Sequence, residues 1–111
     1  MWLATKLGFF SIVKKGAPET WQVRARAARD LERLLAAAQL KTEILATPQA
    51  DYACRVVVDR EQLARVFAAL ADSIDYSNFK DCVAQLPDQR GKLSAYHDFW
   101  AGMLRYQQQR R

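Results

Sequence analysis

The chain carries one histidine, His97, so any acid–base or triad mechanism has to run through it. His97 stands between Tyr96 and Asp98 in a stretch of helical period, where residues adjacent in sequence point away from one another. It falls beside the apolar stripe of that helix and reads as a boundary residue. The cysteines are Cys54 and Cys82. Cys54 alternates with apolar residues and is expected on a core face, where a free thiol behaves as a small apolar group. Cys82 follows Asp81, with Lys80 nearby, and is the better candidate for a reactive thiol. No Gly-x-Ser-x-Gly elbow is present, and the four glycines make neither a phosphate loop nor a dinucleotide fingerprint. The spacing of His97, Cys82 and the acids is not that of a metal site. No catalytic residue, cofactor or metal is therefore assigned, and a small enzyme using His97 or Cys82 ranks third among the readings.

The sharper candidates are basic. Arg24 and Arg26 share one side of an alternating run, and Arg55 takes the corresponding side of another. If both runs are central neighbours in one sheet, the three guanidinium groups project together, and Lys6 joins them if the register around Gly8 allows. Like charges so placed repel unless something anionic or aromatic sits among them, so Lys6, Arg24, Arg26 and Arg55 form a candidate anion or partner site. The alternative is that they pair with carboxylates such as Glu43. A second cluster, Asp75, Tyr76, Asn78 and Lys80, gathers polar and aromatic residues at a helix junction and is a possible small pocket; helix capping is its plainer reading.

Positioning these residues requires a particular order of elements. Residues 2–13 are rich in aromatic and β-branched side chains without helical period and predict one strand, with Gly8 marking a bulge or a close approach. Lys14 to Thr20 reads as a turn around Gly16 and Pro18, and residues 21–27 alternate cleanly as a second strand. Residues 29–39 place Leu31, Leu34, Leu35 and Ala38 on one helical stripe. A short strand at 42–46 and an alternating one at 52–58 follow; the second sets Tyr52, Cys54, Val56 and Val58 against Ala53, Arg55 and Val57. Asp59 with Gln62 is a capping-box pattern, opening a helix expected to bury Leu63, Val66, Phe67, Leu70 and Ile74. Asp75 or Ser77 can cap a further helix ended by Pro87. The last helix, about 92–108, has Leu93, Tyr96, Trp100, Met103 and Leu104 on its stripe, and residues 106–111 are expected to fray.

This order predicts a single α+β domain: a four-stranded antiparallel sheet with helices on one face, in a permuted ferredoxin-like topology, plus extra C-terminal helices. Trp2, Phe9 and Phe10 cannot all face one core, so aromatic surface is expected on the second face beside arginine. Phe9 and Phe10 are adjacent, so the two cannot form the stacking platform of an RNA-recognition strand.

The 111 residues are half hydrophobic by count and carry a net charge of +5, which suits one folded domain that needs no disulfide or metal. Seventeen lysines and arginines against twelve acids fit an anionic partner or a solvated basic surface. The longest apolar stretch, residues 7–13, is too short to span a membrane and lacks a signal-peptide cleavage site. A cytoplasmic domain without membrane partners is expected.

The opening segment MWLATKLGFFS, Asp51-Tyr52 with the strand after it, and LADSIDYSNFK at 70–80 resemble an uncharacterised family of small bacterial proteins, over the span from Met1 to about Val83. The resemblance implies a bacterial stand-alone domain and brings no activity or site residue. The leading expectation is a non-enzymatic interaction module acting as a homodimer, through the sheet face or the C-terminal helices. The second is nucleic-acid binding through Lys6, Arg24, Arg26 and Arg55, backed by Arg110 and Arg111.

Overall fold

Residues 2–13, expected as one strand, fold back on themselves. In the computed structural model, which describes residues 1–110, β1 (Trp2–Thr5) pairs antiparallel with β2 (Gly8–Lys14) across a two-residue turn at Lys6 and Leu7. Thr5 closes that turn: its Oγ1 accepts the Leu7 and Gly8 N–H groups, each at 3.1 Å, and donates to the Gly8 carbonyl at 2.8 Å. The hairpin adds an edge, so the antiparallel sheet has five strands instead of the four expected. β3 (Thr20–Ala25), β5 (Cys54–Asp59) and β4 (Leu45–Ala46) complete it in the order β1-β2-β3-β5-β4. The strand anticipated at 42–46 shrinks to its last two residues.

Two compact units make up the chain, Met1–Asp75 and Tyr76–Arg111. The first is α+β. Its core takes Phe10 and Ile12 from β2, Val23 and Ala25 from β3, and Cys54, Val56 and Val58 from β5. Against them pack Leu31, Leu34, Leu35 and Ala38 of α1 (Ala28–Ala38), and Val66, Ala69 and Leu70 of α2 (Arg60–Asp72). Leu63 and Phe67 are half-buried, whereas Ile74, expected in this core, is exposed because α2 ends at Asp72. The capping box forms as expected: Asp59 Oδ1 accepts from the Gln62 N–H at 2.8 Å, and Gln62 Oε1 from the Asp59 N–H at 2.9 Å. At the other end of α1, Gln39 turns left-handed, and Arg65 of α2 donates to the carbonyls of Ala38 and Gln39 at 3.1 and 2.6 Å. A cation there meets the negative end of the helix dipole.

Gly8 is where the hairpin meets α1. The buried Asp30, in the first turn of that helix, accepts the Phe9 N–H at 3.2 Å. A Cβ built on Gly8 would lie 2.4 Å from Asp30 Cβ and Cγ, so only glycine lets the strand pass over the carboxylate. The close approach anticipated at this position is thus made by a side chain of α1.

The second unit is helical: α3 (Phe79–Ala84), a 3-10 turn at Arg90–Lys92 and α4 (Leu93–Gln109). Val83, Gln89 and Tyr96 are buried. Asn78 caps α3, its Oδ1 accepting the Asp81 N–H at 2.9 Å, and takes the role expected of Asp75 or Ser77. Of the stripe predicted for the last helix only Tyr96 is buried; Trp100 and Met103 are 55% and 64% exposed. α4 continues to Gln109, through most of the segment expected to fray, and Arg111 lies outside the described residues. No described helix is long and apolar enough to cross a membrane.

Gly8→Ala tests the approach of β2 to α1. Overpacking against Asp30 and a backbone angle that L side chains rarely adopt should together cost about 2–4 kcal/mol. Urea denaturation followed by circular dichroism measures it, and wild-type stability would mean that Asp30 moves aside freely.

Candidate binding face of the sheet

Pleating sends residues flanking each core position to the opposite face, and within the first unit no helix packs on that face. Register aligns its side chains in one row across all five strands. Trp2 of β1 pairs with Ser11 of β2, Ser11 with Arg24 of β3, Arg24 with Arg55 of β5, and Arg55 with Leu45 of β4. The neighbouring row holds Ala4 and Phe9, and the row on the other side Val13, Gln22 and Val57.

Arg24 and Arg55 are therefore directly opposed on antiparallel strands, an arrangement that is destabilising for like charges. Neither has a carboxylate within ion-pairing distance among the described residues. Both are held by neutral acceptors. Arg24 donates to Ser11 Oγ at 2.7 Å, and its buried Nε finds no acceptor. Arg55 donates to Gln22 Oε1 at 2.8 Å, to Thr47 Oγ1 at 3.2 Å and to the Tyr52 carbonyl at 3.5 Å. Glu43, proposed as their partner, lies outside β4 and takes no part. Hydrogen bonds of this kind fix the direction of each fork without cancelling its charge.

Tyr52 is the residue sequence periodicity misplaced. Alternation sets it with Cys54, Val56 and Val58 on the helix-facing side, but β5 begins only at Cys54 and the chain bends through residues 51–53. The buried ring lies instead under two guanidinium groups, with Arg24 Cζ 4.7 Å and Arg26 Cζ 4.2 Å from its centroid. Arg26 also donates to the Asp51 carbonyl at 2.9 Å, and its Nη1 lies 3.9 Å from the Asp51 carboxylate. The aromatic face attenuates the repulsion between Arg24 and Arg26, as required of anything sitting among them.

Lys6 does not join the cluster. It occupies the hairpin turn, and its ammonium is 2.6 Å from Asp75 Oδ1. That hydrogen bond holds the Asp75 carboxyl below the usual aspartate range. The aromatic surface expected beside arginine is present: Phe10 is in the core, while Trp2 is 70% exposed and packs edge-on against Phe9, ring centroids 6.4 Å apart. Phe9 and Phe10 do face opposite ways; the aromatic pair is made across strands, between Trp2 and Phe9. Its signal in sequence was length, since twelve residues exceed the usual strand of about 5–6 residues and imply a hairpin.

In the second sequence cluster each residue has partners of its own. Asp75 is engaged with Lys6, and Asn78 is the α3 cap. The Tyr76 ring lies 5.9 Å from that of Phe79. Lys80 turns to α4, where its Nζ is 3.3 Å from His97 Nδ1 and 5.0 Å from the Trp100 ring centroid. His97 itself is exposed and stacks on Trp100 at 5.7 Å. Cys54 is buried, its thiol donating to the Ala25 carbonyl at 3.4 Å, and burial followed by the nearby Asp30 charge pushes its pKa up. Cys82, on α3, is half-buried. Among the described residues no cluster of His, Cys, Asp or Glu could hold a metal ion. Along its C-terminal half, α4 carries an open groove of about 530 Å³ lined by Trp100, Met103, Leu104, Tyr106, Gln107 and Arg110.

No protein-family model, curated protein or solved structure matches the chain.

Salt should report the opposed charges. Raising ionic strength from about 10 to 200 mM screens the Arg24–Arg55 repulsion, so wild-type stability in urea should rise over that range. Arg24→Gln should flatten the rise. Equal salt dependence in the two proteins would mean that the guanidinium charges do not interact.

Proposed function

We propose that the chain is a non-catalytic binding module that takes an anionic partner on the second face of its sheet. The observation carrying this reading is the cross-strand pair Arg24 and Arg55, two cations set opposite one another with neutral hydrogen-bond partners and no neutralising carboxylate among the described residues. Arranging like charges this way opposes stability, and an anion arriving between them relieves it. Ser11, Gln22, Thr47 and Tyr52 hold the forks in place beforehand, which lowers the ordering cost of binding.

The fold is read as a permuted ferredoxin-like unit. The order β2-β3-β5-β4 with α1 and α2 on one side is what that topology needs when its last strand is supplied from the N-terminal end, with β1 added at the edge. The setting is read as the bacterial cytoplasm.

Immobilised heparin tests the anionic partner. Arg24→Gln with Arg55→Gln should elute at distinctly lower salt than Lys15→Gln with Arg60→Gln, which has the same net charge. Identical elution would reduce the effect to overall charge and overturn this reading.

A homodimer is the second reading, and of its two expected surfaces the C-terminal helices suit it better. Pairing two copies through the sheet face would press arginines against arginines. α4 instead exposes Phe99, Trp100, Met103 and Tyr106 at helical spacing, an apolar surface that a second copy could cover. Sedimentation equilibrium should then show a dimer that Met103→Glu dissociates; a wild-type monomer at 100 µM, a concentration of order ~10⁻⁴ M, would end the dimer reading.

A further inference from the structure

The row across the sheet holds more than charge. Trp2 stands two strands from Arg24, about 10 Å away at ordinary strand spacing, and is exposed with Phe9 packed edge-on beside it. One end of the row thus offers an aromatic surface and its centre offers two directed guanidinium forks. We infer that the anionic partner is single-stranded nucleic acid, with a phosphate held between Arg24 and Arg55 and a neighbouring base stacked on Trp2. This rests on the anionic-partner reading above and names the partner.

Two properties favour a flexible single strand over other polyanions. A duplex buries the faces of its bases in its own stack, so it can use the arginines but not Trp2. A single strand can lay a phosphate on one part of the row and turn a base onto another, and such sites combine a cationic track with aromatic stacking. An acidic peptide matches the charge of Arg24 and Arg55 but has no planar group at each repeat for the exposed indole. Selectivity among bases is not demanded, because every base presents a π-face. Arg26, exposed over Tyr52 one residue past the end of β3, extends the cationic track beyond the central pair.

The two kinds of contact are separable by salt. The probe is a fluorescein-labelled mixed-sequence 12-nucleotide strand and its duplex, followed by anisotropy between about 50 and 200 mM salt. The single strand should bind more tightly than the duplex. Arg24→Gln should lower the slope of log K against log salt by about 0.7, one phosphate contact on a single strand. Trp2→Ala should weaken binding roughly tenfold and leave that slope unchanged, while Trp2→Phe restores most of the affinity. A merely structural role for either residue would not split in this way, and circular dichroism confirms that each variant is folded.

Equal binding of strand and duplex, or full affinity in Trp2→Ala, overturns base stacking and with it this inference, while retention on heparin that depends on Arg24 and Arg55 leaves the anionic-partner reading standing. A polyglutamate peptide that binds through the same arginines when the strand does not makes the partner an acidic protein. Loss of the heparin difference overturns both readings.

Discussion

The sheet is buried on one side by α1 and α2, and that asymmetry governs the rest. Phe10, Val23, Ala25, Val56 and Val58 all reach full or nearly full burial against helix side chains. Side chains alternate along a strand with period two, so every residue between those positions is committed to the other face. A slip of one residue would drive Arg24 and Arg55 into an apolar core, where an uncompensated charge is far too costly to keep. The hydrophobic register and the placement of the half-buried arginines on the second face are thus one constraint seen from its two sides.

Holding that register places a burden on the neighbours. Arg24 and Arg55 fall opposite one another, and the chain manages their repulsion with dipoles and an aromatic ring: a serine hydroxyl, a glutamine carbonyl, a threonine hydroxyl, and Tyr52 beneath Arg24 and Arg26. A carboxylate would have been the simpler stabiliser. Its absence from the row separates this face from an ordinary solvated surface, where ion pairs such as Lys14–Glu19 and Arg29–Glu32 are scattered. Elsewhere the same unit uses acids freely, with Asp30 buried under the hairpin and Asp59 capping α2.

The helical unit poses the opposite problem. α4 carries more large apolar side chains than Tyr96 alone can account for as core, and Trp100, Met103 and Tyr106 remain exposed. His97 and Lys80 gather around Trp100 as a cluster of stacking, cation–π contact and a Lys80–His97 hydrogen bond. Apolar periodicity identified the helix correctly and misjudged its burial, because a stripe records which residues share a face and not whether anything lies against it.

Much of this was written in local pattern. Alternation at 21–27 and 52–58 put Arg24 and Arg55 on one face, leucine spacing defined α1, and Asp59 with Gln62 announced the start of α2. These features depend on period and on hydrogen bonds a few residues apart, which sequence displays directly. What tertiary structure decided were meetings between distant residues. Gly8 had to pass over Asp30, twenty-two positions later, which fixes how β2 lies on α1. The hairpin at Lys6 and Leu7 turned one predicted strand into two, brought Trp2 beside Phe9 and left Lys6 to Asp75. The bend at 51–53 carried Tyr52 off the core side and under the arginines. Such contacts depend on cross-strand register and on where a strand starts, and both are settled only when the whole sheet closes its hydrogen bonds against the helices.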